Sequence, residues 1–207
     1  MSKDWTGNKT TTYAQLGASN HSDQERAEND FYATDPNSLN IFLQALERDN
    51  IELHKNIWEC ACGQGHLSEV LKENGYNVLS TDLIGRGYGE VNADTDFLHG
   101  KYYTHTKYNG DILTNPPYRY AKEFVETALN KVECGYYVIM FLKIQFLEGK
   151  DRRKLFDKYP PKYVYVNSAR QLCYLNGDMS NKISSATCYC WFIWEKGFEG
   201  EPIIRWI

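Results

Sequence analysis

The 207-residue sequence lacks long apolar runs, a secretory signal pattern and an excess of basic charge. Its longest apolar stretch runs from Tyr136 to Leu142, far short of the roughly 20 residues that a membrane-spanning helix needs. The net charge of −4 excludes a protein whose whole surface attracts nucleic acid. We therefore expect a cytoplasmic protein with no membrane partner, in which a local patch would have to hold any nucleic acid.

The cysteines also lack the usual spacing of a metal site. Two of the six cysteine positions form Cys60-x-Cys62 and two form Cys188-x-Cys190, whereas structural zinc sites place two to four residues between paired cysteines. One-residue spacing puts both members of a pair on one face of a strand, where they pack as small apolar side chains. Without a secretory signal we expect free thiols, and we predict no metal site.

The composition provides enough apolar material for one folded domain. Apolar residues make up 42% of the chain and charged residues 24%, which excludes wholesale disorder. Residues 1–28 are polar and rich in Thr, Asn and Ser, so we predict a flexible or weakly docked arm there. We predict a single domain over residues 29–207, because this part shows no internal repeat and no linker.

Strands and helices alternate through this domain. Asp35-Pro36 is typical of a helix start, and the apolar residues that follow have helical spacing. We predict strands at 56–60, 77–82, 90–93 (weak), 110–114, 136–142, 162–166 and 186–194, with later helices at 67–74 and 120–132. The last two strands lack a clear intervening helix, which suggests an antiparallel pair at one edge. The pattern predicts an α/β fold with an open, mostly parallel sheet.

A glycine turn follows the first of the alternating strands. Gly63 and Gly65 allow a tight turn into a helix, at the carboxyl edge of the sheet where such folds bind ligands. The turn is not a dinucleotide fingerprint, because Ser68 stands where the third glycine belongs. It is not a phosphate loop either, because no Gly-Lys-Ser/Thr follows. By itself the turn fits a ligand site or a purely structural turn.

Acidic residues follow the next two strands. Asp82, about twenty residues after the glycine turn, can accept hydrogen bonds from both hydroxyls of a ribose. The alternative is an exposed strand-end residue or a helix cap. Asp96 and Phe97 offer an acceptor and an apolar face suited to a purine amino group and ring, and Asp94 competes for the acceptor role.

The most specific motif is Asn115-Pro116-Pro117-Tyr118, directly after a central strand. Because two prolines remove two N–H donors, the Asn115 side-chain oxygen and the Pro116 carbonyl can both accept from one planar –NH₂ group. Such an amine is a poor nucleophile, since its lone pair is delocalised. Two acceptors draw the nitrogen toward tetrahedral geometry and stabilise the charge that develops as it attacks. Tyr118 can stack on the ring that carries the amine.

Together these motifs resemble those of the S-adenosylmethionine-dependent N6-adenine methyltransferases, particularly small single-domain DNA enzymes of phage and prophage type. The resemblance runs from about Asn29 to the C-terminus and includes the segments 31–36 and 191–197. It implies the class I, Rossmann-like methyltransferase fold, with a seven-stranded sheet and an antiparallel last strand. It also implies S-adenosylmethionine as cofactor and methylation of an adenine flipped out of DNA. No segment after Asn115 is long enough for a separate target-recognition domain.

The resemblance further implies roles for individual residues. The catalytic residues would be Asn115, Pro116, Pro117 and Tyr118. The cofactor-binding residues would be Tyr32, Thr34, Glu59, Cys60, Gly63, Gly65, Asp82, Leu83, Asp96, Phe97 and Asn115. Among these, Tyr32, Thr34, Glu59, Gly63 and Gly65 would lie at the methionine part, Asp82 at the ribose, and Asp96 and Phe97 at the adenine.

A basic segment follows the fifth strand. Residues 143–162 contain seven basic and three acidic side chains in an otherwise acidic protein. Candidate contacts to DNA phosphates are Lys143, Lys150, Arg152, Arg153 and Lys154, and the alternative is a solvated helix face. The polar loop 175–185 is suited to touching bases.

The sequence leaves three alternatives open. The substrate could be RNA or a protein glutamine amide, which presents the same planar –NH₂ group. The chain could instead be a catalytically silent relative that only binds nucleic acid. The protein could be a monomer or a homodimer.

Overall fold

The computed structural model of the protein describes residues 32–90, 95–100, 107–169, 173–175 and 187–207. The predicted arm (1–28), Asp94 and nearly all of the predicted base-contacting loop (175–185) lie outside these residues. Within the described ranges, no helix is both long enough and apolar enough to cross a bilayer.

The described residues form four α-helices and nine strands. The helices are α1 (Pro36–Arg48), α2 (His66–Glu73), α3 (Ala121–Lys131) and α4 (Lys150–Lys158). The strands are β1 (Tyr32–Thr34), β2 (Asn56–Glu59), β3 (Asn77–Ser80), β4 (Asp111–Thr114), β5 (Tyr137–Lys143), β6 (Tyr163–Val166), β7 (Cys173–Leu175), β8 (Tyr189–Glu195) and β9 (Ile203–Trp206). Short 3₁₀ turns at Tyr118–Tyr120 and Ile144–Leu147 precede α3 and α4.

Seven of the strands form one sheet in the order β3-β2-β4-β5-β8-β6-β9. Strands β2 to β5 run parallel to one another, and β8 is antiparallel to both of its neighbours, β5 and β6. This is the predicted open, mostly parallel sheet with a reversed late strand, so the fold-class prediction is confirmed.

Three strands were not predicted. Strand β9 pairs in parallel with β6 and forms the sheet edge, so the antiparallel pair of β6 and β8 lies inside the sheet and not at its edge. Strands β1 and β7 form a separate two-stranded sheet. Of the predicted weak strand at 90–93, Glu90 makes an isolated bridge with Thr81, and the other three residues lie outside the described ranges.

The helix ends follow from local sequence. At the start of α1, the Asp35 side chain accepts a hydrogen bond from the Asn37 backbone N–H at 2.9 Å, and Pro36 is the first helical residue, as predicted. Helix α2 ends just before Gly75, which adopts a φ of +84° that favours glycine. Helix α3 is one residue shorter at each end than predicted, because the turn at Tyr118–Tyr120 precedes it.

Side chains on the two faces of the sheet build two core layers. On β5, Val138, Met140 and Leu142 belong to the layer under α3 and α4. The alternate residues Ile139 and Phe141 belong to the layer under α1 and α2. Because both faces of β5 are covered, its near-continuous apolar run has the pattern of a doubly buried strand.

Three of the cysteines, Cys60, Cys62 and Cys190, are buried side chains of the core. Cys60 and Cys62 lie in the turn after β2, so the prediction that they share one face of a strand was wrong. Both are buried free thiols, and burial raises the pKa of Cys62 to about 12. Cys190 is buried in β8, and Cys188 precedes that strand. Nowhere in the described ranges do three or more potential metal ligands cluster.

Candidate functional site

The candidate site lies where the order of the sheet reverses. From β2 the chain passes to β3 on one side, and it then crosses to β4 and β5 on the other side. The carboxyl ends of the parallel neighbours β2 and β4 therefore open into a crevice between diverging connections, which is where open α/β sheets bind ligands. The glycine turn at 60–65 lies on the β2 side, and the Asn-Pro-Pro-Tyr motif (115–118) lies on the β4 side.

Gly63 and Gly65 both have positive φ, at +56° and +84°. A Cβ atom on Gly65 would lie 2.6 Å from the Tyr88 ring, so only glycine fits under this ring. The Cys62 N–H donates to the Thr81 carbonyl at 3.0 Å, and the Gly63 N–H donates to Asp82 Oδ2 at 2.7 Å. These bonds attach the turn to the end of β3.

Asp82 is the acidic residue at the centre of this arrangement. Its side chain is 10% exposed, and its carboxylate accepts three hydrogen bonds. Gly63 N donates to Oδ2, while Ile84 N (2.9 Å) and Arg86 Nη1 (3.2 Å) donate to Oδ1. The structure thus brings together the predicted turn and the predicted ribose-binding residue, and it adds a guanidinium that the sequence had not indicated.

Glu59 lies beneath the turn. It is 2% exposed, and its carboxyl group accepts a hydrogen bond from Ser68 Oγ, which is 2.7 Å from Ser80 Oγ. Burial raises the pKa of Glu59 to about 8, and the bonds from Ser68 offset only part of that effect. The carboxyl group is therefore protonated at neutral pH and links the end of β2 to Ser68 of α2.

The raised pKa predicts that stability depends on pH. Between the ordinary value of 4.5 and about 8, the folded state keeps a proton on Glu59 that the unfolded state has lost. The free energy of unfolding should fall as pH rises through this window, by up to about 1.4 kcal/mol per pH unit from this group. In Glu59→Gln, which cannot titrate, urea unfolding at pH 5 and pH 8 should show a smaller difference than in the wild type.

Glu47→Gln, an exposed change on α1, is the control for this experiment. It should keep the pH dependence of the wild type. Parallel profiles for wild type and Glu59→Gln would contradict the assignment.

Asn115 is positioned by a residue from the start of the described chain. Its Nδ2 donates a hydrogen bond to the hydroxyl of Thr34 at 2.8 Å, across 81 positions of sequence. Thr34 is 3% exposed at the end of β1, so this anchor is itself held firmly. The bond aims the amide nitrogen at Thr34 and turns the amide oxygen away from it. Pro116 is buried beside it.

Tyr118 is half-buried and carries a cation over its ring. Lys143 Nζ lies 4.9 Å from the ring centroid, an arrangement in which the cation is attracted to the aromatic face. Lys143 is the last residue of β5, so the fifth strand and the Asn-Pro-Pro-Tyr motif meet at this point. The structure therefore places one of the predicted phosphate contacts within the candidate site.

The other four predicted DNA contacts lie on α4. The Arg152 guanidinium lies 5.5 Å from the Phe146 ring centroid, and Arg153 pairs with Asp157 of the same helix at 2.7 Å. Lys150 and Lys154 are exposed. These arrangements fit a helix that contacts DNA phosphates, and they fit equally a helix face that is only solvated. The DNA contacts of α4 therefore stay a prediction.

The remaining predicted cofactor residues lie in different surroundings. Phe97 is 4% exposed and packs in the core, with its ring centroid 5.1 Å from both Trp58 and Phe124. Asp96 accepts hydrogen bonds from the Leu98 and His99 backbone N–H groups at 2.9 and 3.1 Å. Of the others, Cys60 is buried, Leu83 is 61% exposed, and Tyr32 contributes its backbone to β1.

Sequence reasoning missed Arg86 and Tyr88, which lie in the glycine-rich stretch 85–89. Tyr88 covers Gly65, and its hydroxyl interacts with Glu69 and Lys72 of α2. Gly87 and Gly89 have positive φ on either side of Tyr88. The signal was present in the sequence, because two polar side chains framed by three glycines are typical of a loop that approaches its neighbours closely.

Comparison with known proteins identifies the fold class. Neither a protein-family description nor a curated protein matches the sequence. Solved structures do match, and they define the class I, Rossmann-like methyltransferase fold for this chain.

Three of these structures show the range of matches. A candidate class I S-adenosylmethionine-dependent methyltransferase of Listeria monocytogenes has a TM-score of 0.56 at 14% identity, over 95% of this chain and 72% of its own. A candidate RNA methyltransferase of Pyrococcus horikoshii has a TM-score of 0.59 at 12% identity, over 93% and 99%. An S-adenosylmethionine-dependent O-methyltransferase of Thermotoga maritima has a TM-score of 0.50 at 13% identity, over 80% and 67%. At such low identity, these likenesses establish architecture, and the substrate has to be argued from the site.

Proposed function

We propose that this protein transfers a methyl group from S-adenosylmethionine to the N6 amine of an adenine flipped out of DNA. The proposal rests on the close placement of two motifs. The Asn-Pro-Pro-Tyr motif lies at the reversal point of the sheet, beside a glycine turn that is bonded to an acidic strand end. In this fold the Asn-Pro-Pro-Tyr motif suits a planar amine, and the glycine turn with its acidic strand end suits a nucleoside.

The residues on the β2 side fit the cofactor. Asp82, at the end of β3, would accept hydrogen bonds from the ribose hydroxyls. At the turn, Gly63 would give the methionine part close access to the main chain because it carries no Cβ atom, whereas Gly65 lies under the Tyr88 ring. When bound, S-adenosylmethionine supplies a methyl group that is electrophilic because it is attached to a sulfonium.

On the β4 side, the Asn115 oxygen and the Pro116 carbonyl would accept the two hydrogens of the adenine amine. Methyl transfer to the amine would leave the electron pair of the broken C–S bond on sulfur and would place positive charge on the amine nitrogen, between the two oxygens. The two oxygens stabilise that charge, and the surplus amine proton then leaves to solvent. No strong general base is needed, because the lone pair is directed before the attack.

Tyr118 and Lys143 support a nucleic-acid substrate. Tyr118 would provide an aromatic ring for a base to stack on, and the Lys143 ammonium group beside that ring would meet a phosphate of the same strand. Adenine has to leave the duplex, because pairing occupies its amine and stacking covers its faces. The resemblance of the sequence motifs to DNA enzymes favours DNA over RNA.

The test is a side-by-side methylation assay. Duplex DNA, RNA and a protein extract are each incubated with the purified protein and S-adenosylmethionine labelled in its methyl group. We expect label in DNA, recovered as N6-methyladenine after digestion to nucleosides. Label confined to RNA or protein would overturn the proposed substrate. Cofactor binding by calorimetry with no transfer to any substrate would identify a silent relative.

Thr34 should act as a positioning residue for Asn115. Thr34→Val is nearly isosteric but removes the hydroxyl that holds Asn115 Nδ2, so the amide loses its fixed orientation. We expect kcat for methyl transfer to fall about tenfold, as for the loss of one oriented hydrogen bond, with little change in KM for S-adenosylmethionine. Thr34→Ser keeps the hydroxyl and should restore most of kcat. Equal losses in both variants would point to a purely structural role.

A further inference from the structure

The edge strand β9 exposes apolar side chains to an unusual degree. Ile203, Ile204 and Trp206 are 47%, 51% and 65% exposed. These three are half of the six large apolar side chains that are exposed in the described ranges, and they fall within four consecutive positions. Such a concentration on a sheet edge marks a surface for pairing with another strand.

The backbone of β9 also carries hydrogen-bonding groups at this edge. The N–H groups of Ile203 and Ile207 donate to the Lys162 and Val166 carbonyls of the β6 side, at 3.1 and 3.0 Å. Because alternate residues of a strand face the same neighbour, the N–H and C=O groups of Ile204 and Trp206 point away from β6. Among the described strands, none pairs with this outer side.

The strand also lacks an outward charge that would keep other strands away. Its one charged side chain, Arg205, turns back onto its own protomer. Its guanidinium lies 2.5 Å from Asp49 Oδ2 and donates to the Tyr165 hydroxyl at 3.2 Å. Exposed edges are usually protected by outward Lys residues or bulges, and β9 has neither.

We propose that β9 pairs antiparallel with β9 of a second copy of this chain, which makes the protein a two-fold symmetric dimer with a continuous sheet. In the pairing, Ile204 lies opposite Trp206 of the partner subunit, and each such pair exchanges both of its backbone hydrogen bonds. The symmetry repeats the pair, so four main-chain bonds form and all outward groups of Ile204 and Trp206 are satisfied.

The side chains agree with this register. Ile204 and Trp206 point to the same face of the sheet, so the dimer would bring two Ile and two Trp side chains together in one apolar patch. The two Arg205 residues would face each other on the opposite side, where Asp49 neutralises each of them. Shifting the pairing by two residues would set Trp206 against Pro202, which has no N–H to donate. A second copy is therefore the partner whose bonding pattern and apolar surface match those of β9.

The first experiment measures the mass of the full chain in solution by sedimentation over a range of concentrations. We expect a dimer for the wild type, and we expect Trp206→Glu to raise its dissociation constant by at least about 30-fold, as for loss of a central interface residue. Leu147→Glu, which adds the same charge at an exposed apolar position away from β9, should leave the dimer intact. Circular dichroism checks that each variant is folded.

A second variant tests the backbone directly. Ile204→Pro removes an N–H group that makes no bond to β6, so an edge strand tolerates it, while the dimer loses two of its four main-chain bonds. We expect this variant to be folded and mainly monomeric at concentrations where the wild type is dimeric. A dimer as tight as the wild type would contradict pairing through this edge.

Cysteine crosslinking tests the register. In a Cys134→Ser background, which removes an exposed thiol, the double variant Ile204→Cys/Trp206→Cys should form a disulfide-linked dimer on mild oxidation. Either single variant should crosslink far less, since identical positions are offset in this register. A wild type that stays monomeric at high concentration would overturn the proposal. So would a double variant that is dimeric by sedimentation but crosslinks no more than the single variants. None of these measurements depends on methyl transfer.

Discussion

Replacing Asn115 with Ala should abolish measurable methyl transfer while S-adenosylmethionine binding stays close to that of the wild type. On the proposed function, the substitution removes one of the two oxygens that would stabilise charge on the attacking nitrogen. Loss of one such group in a pre-organised site lowers rates by about 100- to 1000-fold. Cofactor binding should persist, because Asn115 is only one of eleven residues assigned to it and most of the others lie at the end of β2, in the turn that follows, and after β3.

Single-turnover methylation and calorimetry on the same preparations measure the two quantities separately. Asn130→Ala, an exposed change on α3, provides the matched control and should keep both activities. A parallel loss of transfer and of cofactor affinity in Asn115→Ala would show that Asn115 supports the pocket as a whole. In that case its assigned role in activating the amine would be wrong.

Asp82→Ala should have the opposite signature, with a large loss of cofactor affinity. Two hydrogen bonds from ribose hydroxyls to a charged acceptor contribute about 3 kcal/mol together, so the dissociation constant should rise about 100-fold or more. The variant also removes the hydrogen bonds that Asp82 accepts from the Gly63 N–H and the Arg86 guanidinium, which loosens the turn. Calorimetry with S-adenosylmethionine measures the effect.

Asp82→Asn separates charge from shape in this experiment. It keeps one acceptor oxygen and the side-chain volume, so its affinity should fall between those of the wild type and Asp82→Ala. Asp157→Ala, an exposed change in an ion pair on α4, should bind the cofactor normally. Wild-type affinity in Asp82→Ala, with the fold intact by circular dichroism, would exclude this residue from the cofactor site.

The sequence predicted the central part of the fold because its signals there are local. Strands β2 to β5 are short apolar runs bounded by glycine, proline or polar residues, and parallel burial on both faces produces that pattern. Strands β7 and β9 stand outside the strand–helix alternation, and β1 (Tyr32–Thr34) has no run of large apolar residues. Pairings such as Ile203 with Tyr163 depend on tertiary contacts, so no periodicity could reveal them.

The candidate site likewise has a part that the sequence predicted and a part that only the structure shows. Gly63, Gly65 and the Asn-Pro-Pro-Tyr motif were found because each requires a particular residue type at fixed spacing. The bond between Thr34 and Asn115 spans 81 positions, so its geometry became visible only in the folded chain. Phe97 was chosen for its residue type alone, and its burial within the core became visible only in the structure.

The bonding around Asp82 has a consequence for how the cofactor would load. A carboxylate offers about four acceptor positions, and Gly63, Ile84 and Arg86 already occupy three. The two hydroxyls of a ribose need two acceptor positions, but only one is open. The Gly63 and Ile84 donors are main-chain N–H groups, which the fold holds in place. On the proposed function, loading is thus a ligand exchange in which the guanidinium yields its place. Its rate would then depend on ionic strength, since salt weakens the ion pair that has to open.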